Sequence, residues 1–290
     1  MTARRIERIL PGHRAIDDGD MLLWRALPLS ERVSLGPFVM LDHYRHASRR
    51  GIGDRPHPHA GIEVISYLLE GGVEHRDSEG FRDRLGPGDA QWIRAGRGIL
   101  HAEQPTGGRH GLQLWTSLPP AQKLIEPAYA SFRAAEIPEL QCDGARVHVV
   151  AGQVVGQMAG QMAGQPSACI GPMKTTTETV FAHVHLDAGA QVTLDVAAPE
   201  LGAYVLDGRL AIAEGAPVGP GALVVLGDGT RVTLSNAGDA PADVALLGGA
   251  AAQGPILFGG PFVMDTEERM TQAKRDFASG RMGRLDGVPF

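Results

Sequence analysis

Four residues of this chain are spaced to share one ion. His57-Pro58-His59 opens the stretch, and His101-Ala102-Glu103 closes it. Side chains on a strand alternate faces, so residues i and i+2 point the same way. His57 and His59 therefore face inward together, and so do His101 and Glu103. Two such dyads on neighbouring strands bring three imidazoles and one carboxylate to a common point. That donor set suits a first-row divalent metal, because imidazole fits Zn, Cu, Fe and Ni and the carboxylate adds a hard oxygen. Structural zinc sites usually contain thiolates, and this stretch has no cysteine. A lone His-x-His is an ordinary surface turn more often than a ligand pair. The second dyad, with glycine-rich turns before it, lifts the pattern above that base.

The elements that must position these dyads are strands. The 290 residues include 39 glycines and 20 prolines, a density of turn residues that favours many short strands over helices. The chain is 43% hydrophobic and 21% charged with a net charge of -6, so it has material for a sizeable core. Nothing in that balance predicts a nucleic-acid-binding face or a membrane surface. No apolar run approaches the length of a membrane span. The start, Met1 to Arg8, lacks the apolar core of a signal peptide. Cys142 and Cys169 give no disulfide framework, so a reduced, cytoplasmic setting is expected.

The chain reads as a duplication. Gly36-Pro37-Phe38-Val39-Met40 recurs as Gly260-Pro261-Phe262-Val263-Met264. Tyr67-Leu68-Leu69-Glu70-Gly71 matches Tyr204-Val205-Leu206-Asp207-Gly208, and Gly86-Pro87-Gly88 matches Gly219-Pro220-Gly221. Each set reads as strand, hairpin-type turn, strand, then a Gly-Pro-Gly turn. Two β-lobes are expected, residues 1–135 and 136–290. Laid on these matches, His57 and His59 fall on Leu194 and Val196, and His101 and Glu103 fall on Leu234 and Asn236. The first lobe should hold the metal and the second should be structural. His183 and His185 form another His-x-His, but no His-x-Glu follows at a comparable distance, so they are expected to be strand histidines bonded to neighbours.

Four local features are expected as well. Leu22 to Leu27 is a strand, and Pro119 to Lys123 starts a short helical or turn segment. Residues 152–165, with their repeated Gly-Gln-Met-Ala, are expected to form a mobile surface loop. A C-terminal helix is expected over 266–279, with Asp265 as N-cap, Glu268 as capping-box carboxylate and Gly280 as its stop.

The run from Pro56 through Tyr67-Leu68-Leu69-Glu70-Gly71, Gly86-Pro87-Gly88-Asp89, Gln91-Trp92 and Ala95 to Glu103 resembles the pirin family of the cupin superfamily. The resemblance extends through Gly-Pro-Phe-Val-Met to the helix and covers nearly the whole chain. It implies an all-β bicupin: two jelly-roll-like barrels in tandem, with the C-terminal helix packing back on the N-terminal lobe. It implies one Fe(II) in that lobe, on His57, His59, His101 and Glu103; Zn, Mn, Ni or Cu would suit the same donors. It implies quercetin 2,3-dioxygenase activity, with a flavonol and dioxygen as substrates and Glu103 as catalytic base. The alternative it carries is a non-enzymatic iron-binding regulator of a transcription or metabolic protein partner. A monomer is expected. The broader cupin pattern places a ligand at Glu63; the pirin pattern uses Glu103, which leaves Glu63 a supporting role. The Gly-Gln-Met-Ala stretch is longer than the pirin pattern.

Overall fold

The computed structural model of the chain describes residues 2–47, 53–159 and 166–285. Among these the secondary structure is β-strand, two short 3-10 turns and one α-helix. The chain divides into two compact units, each assembled from separate stretches. One comprises 1–13, 25–37 and 135–251; the other comprises 14–24, 38–134 and 252–290.

The unit containing 135–251 is a sandwich of two antiparallel sheets. A seven-stranded sheet has, at its centre, the strands Thr179–Leu186, Ala242–Gly249 and Glu200–Asp207. A five-stranded sheet has Gln191–Asp195 and Arg231–Asn236 side by side. These two strands alternate strictly: Val192 and Leu194, then Val232 and Leu234, point inward, and their neighbours face out. The inward residues of both sheets form one aliphatic core, which includes Leu194, Val196, Leu201, Val224, Leu234 and Leu246. Each fully buried aliphatic side chain contributes about 1.5–3 kcal/mol.

This packing corrects the expectation for residues 152–165. Gln153–Gly156 is a strand, paired with Ser167–Ile170 on one side and Gln191–Asp195 on the other. Val154 is buried in the aliphatic core. The tertiary ladder overrides the weak local propensity of a glycine-rich stretch. Residues 160–165 lie outside the described residues.

The other unit is built on a nine-stranded sheet. Its two long strands, Ile62–Asp77 and Ile99–Ser117, pair along most of their length. The first does not reverse at Glu70-Gly71, where a hairpin-type turn was expected. Irregularities at Leu68/Glu70 and Gly71/Val73 bend it instead, and it runs on to Asp77. Gly71 has φ +77°, and a Cβ there would lie 2.1 Å from the Gly108 carbonyl oxygen. The reversal comes after Asp77, where the chain returns as Arg82–Leu85.

The helix is Glu267–Ala278, and it buries Met270 and Ala273. Its N-cap is Thr266 rather than Asp265: the Thr266 hydroxyl accepts from the Arg269 amide at 3.2 Å. The cap is thus one residue later than expected, and its N3 residue is Arg269, so no capping box forms. Asp265 instead holds the Arg269 guanidinium at 2.8 Å. Gly280, at φ +74°, closes the helix as expected, its amide donating to Phe277 and that of Arg281 to Asp276. Met270 and Ala273 pack with Ala60, Phe262, Met264 and Met282, so the helix docks on the unit that carries His57 to Glu103. Phe38 and Phe262, the two rings of the repeated motif, are both buried.

Candidate metal centre

The strand Ile99–Ser117 lies between two partners at its start. His57–His59 runs along one side, with His57 opposite His101. Ile62–Asp77 runs along the other, with Asp77 opposite His101 and His75 opposite Glu103. Cross-strand neighbours and i±2 residues share a face. His57, His101 and Asp77 therefore form one row, and Glu103 and His75 the next.

The structure brings the expected residues together in two overlapping triads. Donor atoms of His57, His59 and His101 lie within 4.8 Å of one another; so do those of His75, His101 and Glu103. Glu103 does not group directly with His57 and His59, and His101 belongs to both sets. The His57 and His101 ring centroids are 4.2 Å apart, those of His59 and His101 4.9 Å.

Each outer histidine is held by its far nitrogen. His57 Nδ1 donates to the Arg55 carbonyl at 2.9 Å, and His59 Nδ1 to the Pro261 carbonyl at 3.1 Å. These bonds fix the tautomer that leaves Nε2 with a lone pair, the usual outer-sphere arrangement of metal-ligating histidines. The Pro261 carbonyl belongs to the repeated motif near the C-terminus. It is brought close by the turn after His59, where Gly61 (φ +76°) would place a Cβ 2.1 Å from the Val263 carbonyl oxygen. Lys123, fully buried, ties this corner: its ammonium donates to Gly61 and Val263 carbonyls and to Ser117 Oγ at 2.8–2.9 Å. Burial pushes its pKa down to about 8.

Among the described residues, His59 Nε2 and both ring nitrogens of His101 are buried with no hydrogen-bond partner. Burial, and then the neighbouring His57, pushes His59 down to about 3; burial holds His101 well below 6.5. His59 and His101 are therefore neutral at physiological pH, the form that ligates metal. Buried acceptors without donors are costly in a native protein. An ion with empty orbitals is what such a cluster fits.

Glu103 is gripped from outside the cluster. Its Oε2 accepts from Arg109 at 2.8 Å, and its Oε1 accepts from Gln91 Nε2. Burial raises the Glu103 carboxyl, but Arg109, then His75 and the Arg109 hydrogen bond, outweigh it and hold the carboxyl below its usual range. Arg109 also lies over the Tyr44 ring, 4.5 Å from its centroid. Glu63 is buried but sits in neither triad; its Oε2 accepts from Thr116 at 3.0 Å. His183 and His185 are both bonded to Asp243 Oδ1, at 2.8 and 3.0 Å.

Comparison with known proteins identifies the family and the fold. The pirin profile matches residues 23–116 and the pirin C-terminal cupin domain profile matches residues 181–283. Human pirin is 34% identical over 266 residues, covering 89% of this chain and 87% of that protein. This chain belongs to the pirin family. A pirin-like protein of Caulobacter vibrioides is 34% identical over 97% of this chain and 100% of its own length. Among solved structures, a protein of Acinetobacter baumannii named quercetin 2,3-dioxygenase superposes with TM-score 0.83 at 25% identity, covering 97% of this chain and 99% of that one. The fold is the all-β bicupin of two tandem cupin domains with a C-terminal helix.

The sequence reading missed His75, Gln91 and Arg109. His75-x-Asp77 has the same two-residue spacing as the dyads that were found. It escaped notice because a turn was expected just before it, which would have broken the strand that carries it inward. Gln91 and Arg109 carry no spacing signal; only strand pairing brings them to Glu103.

Proposed function

We propose that this protein is a metal-dependent dioxygenase of the quercetinase kind, with His57, His59, His101 and Glu103 as the ligands of an Fe(II) ion. The observation that carries this reading is the buried set of neutral imidazole nitrogens that lack partners among the described residues. The likeness to the Acinetobacter quercetin 2,3-dioxygenase supports the reaction class, and the substrates would be a flavonol and dioxygen. The same donors accept Zn, Mn, Ni or Cu. When bound, the ion supplies Lewis acidity toward the 3-hydroxyl and 4-keto oxygens of the flavonol, together with redox capacity for dioxygen.

The chain's own residues do the rest. Pro261 and Arg55 carbonyls hold the two outer imidazoles in the ligating tautomer. Glu103 is the base that takes the 3-hydroxyl proton, and Gln91 and Arg109 fix its orientation. Arg109 keeps Glu103 ionised, so the acceptor is ready at neutral pH without a prior proton loss. Trp115, edge-on to His59 with centroids 5.0 Å apart, adds apolar surface beside the donors.

The test is turnover. Protein loaded with Fe(II) without oxygen is given quercetin and then air. Loss of the flavonol absorbance with stoichiometric carbon monoxide is the expected result. Saturable iron binding with no turnover of any flavonol would overturn the enzyme and favour a regulatory iron protein.

A further inference from the structure

His75 is a buried imidazole that the four-ligand reading leaves without work. Its Nε2–H donates to Asp77 Oδ2 at 3.2 Å, and both side chains are fully buried. Among the described residues, its Nδ1 is buried without a hydrogen-bond partner. The Asp77 bond fixes the tautomer, so Nδ1 carries a lone pair. On its far face the ring stacks on Tyr129, with centroids 4.4 Å apart. A carboxylate behind one ring nitrogen and an unfilled lone pair on the other is how metal-binding histidines are built. The same pattern holds His57 and His59, with carbonyls in place of the carboxylate.

The neighbours complete a donor set. His75 stands opposite Glu103 in the strand register, and His101 opposite Asp77. Donor atoms of His75, His101 and Glu103 lie within 4.8 Å of one another, as close as those of the outer triad, and all three side chains are buried. Both nitrogens of His101 lack partners among the described residues, so this ring can serve either triad. Two imidazoles and one carboxylate form a facial set that leaves further positions open.

We infer that His75 is a metal-binding residue, and that with His101 and Glu103 it forms a second, inner position for a divalent ion. This rests on the metal-centre reading above. Asp77 is its positioning residue. Asp77 Oδ1 also accepts from the Glu79 and Phe81 amides at 3.0 Å, which closes the turn that follows. An asparagine at position 77 keeps that oxygen for the turn. Its amide would then donate to His75 Nε2, moving the ring proton to Nδ1 and removing the lone pair.

Co(II) is the probe, because its visible absorption reports coordination without any turnover. The full chain is titrated as wild type, His57→Ala/His59→Ala, and that double variant with either His75→Ala or Asp77→Asn added. The double variant is expected to keep one cobalt per chain, bound about 10–100-fold more weakly than in wild type. Adding Asp77→Asn should weaken it by about a further 10–100-fold, the usual effect of losing an outer-sphere partner. Adding His75→Ala should abolish it. Thermal melting of the cobalt-free variants checks that each is folded. If the His75→Ala triple variant does not fold, the Asp77→Asn variant decides alone. A folded double variant that binds no cobalt, or one whose affinity neither addition changes, would falsify the inference. A wild type that binds no cobalt would instead sink the metal-centre reading itself.

Discussion

Aligned by the internal sequence match, the two lobes carry opposite chemistry. Where the first has His57 and His59, the second has Leu194 and Val196; where the first has His101, the second has Leu234. All three replacements are fully buried in one aliphatic core. Glu103 is matched by Asn236, whose Nδ2 lies 2.7 Å from the Ala240 carbonyl and 3.0 Å from that of Asp187. These four positions of the second lobe are thus satisfied, by apolar contact or by hydrogen bonds. The first keeps imidazole nitrogens of His59, His75 and His101 buried without a hydrogen-bond partner among the described residues. Satisfied groups add stability and buried unpartnered nitrogens cost it, and that contrast is what supports the proposed metal centre.

The largest effect should come from removing the ring that both triads share. His101→Ala should lose essentially all bound metal, read as metal per chain after dialysis. Retention of stoichiometric metal would move the centre elsewhere in the chain. Next in size is Glu103→Gln, which keeps an oxygen donor but removes charge and basicity. Turnover should fall by about 10²–10⁴, with metal binding weakened but present. Unchanged turnover would leave Glu103 a ligand only, and the base would be another group.

In the second lobe the matched substitution should read out differently. Leu234→Ala should cost about 2–5 kcal/mol in urea unfolding and leave metal content at the wild-type level. A loss of metal at constant stability would break the division of labour between the lobes. A separate test is the pH response of the metal-free protein. The folded-state pKa of His59 is depressed, from 6.5 to about 3, and that of His101 lies well below 6.5. The unfolded chain therefore binds protons that the folded chain refuses. Stability is complete above about pH 6.5 and declines as pH falls toward 3, by about 1.4 kcal/mol per pH unit for His59, with His101 acting in the same direction. Urea midpoints measured from neutral to mildly acid pH test this, and a flat profile would mean that the rings are not buried and neutral. The smallest effect belongs to the helix: Thr266→Ala should cost about 1 kcal/mol, whereas Asp265→Ala should leave the cap intact.

The all-β bicupin fold was legible in the sequence, and so were four of the residues that the structure groups in the two triads. Alternation has a fixed period of two, so His-x-His and His-x-Glu imply a shared face before any pairing is known. The expected absence of donors at Leu194, Val196, Leu234 and Asn236 rested only on the internal match. Local signals failed where backbone geometry overrode them. Glu70-Gly71 reads as a turn, yet bulges carry the strand onward and deliver His75 to the site. Gln153–Gly156 reads as a loose loop, yet open ladders on both sides recruit it as a strand. Asp265 reads as a cap, yet its carboxylate is taken by Arg269 and the next hydroxyl caps instead.

What the sequence by itself determined is that His57 shares a face with His59 and His101 with Glu103, because side-chain type and parity along a strand are local properties. What only the tertiary structure decided is how those donors are grouped and held. Register between strands set His75 beside Glu103, the C-terminal segment supplied the Pro261 carbonyl to His59, and Arg109 claimed one oxygen of Glu103. Those contacts join residues far apart in the chain through hydrogen-bonding partners that no local pattern encodes.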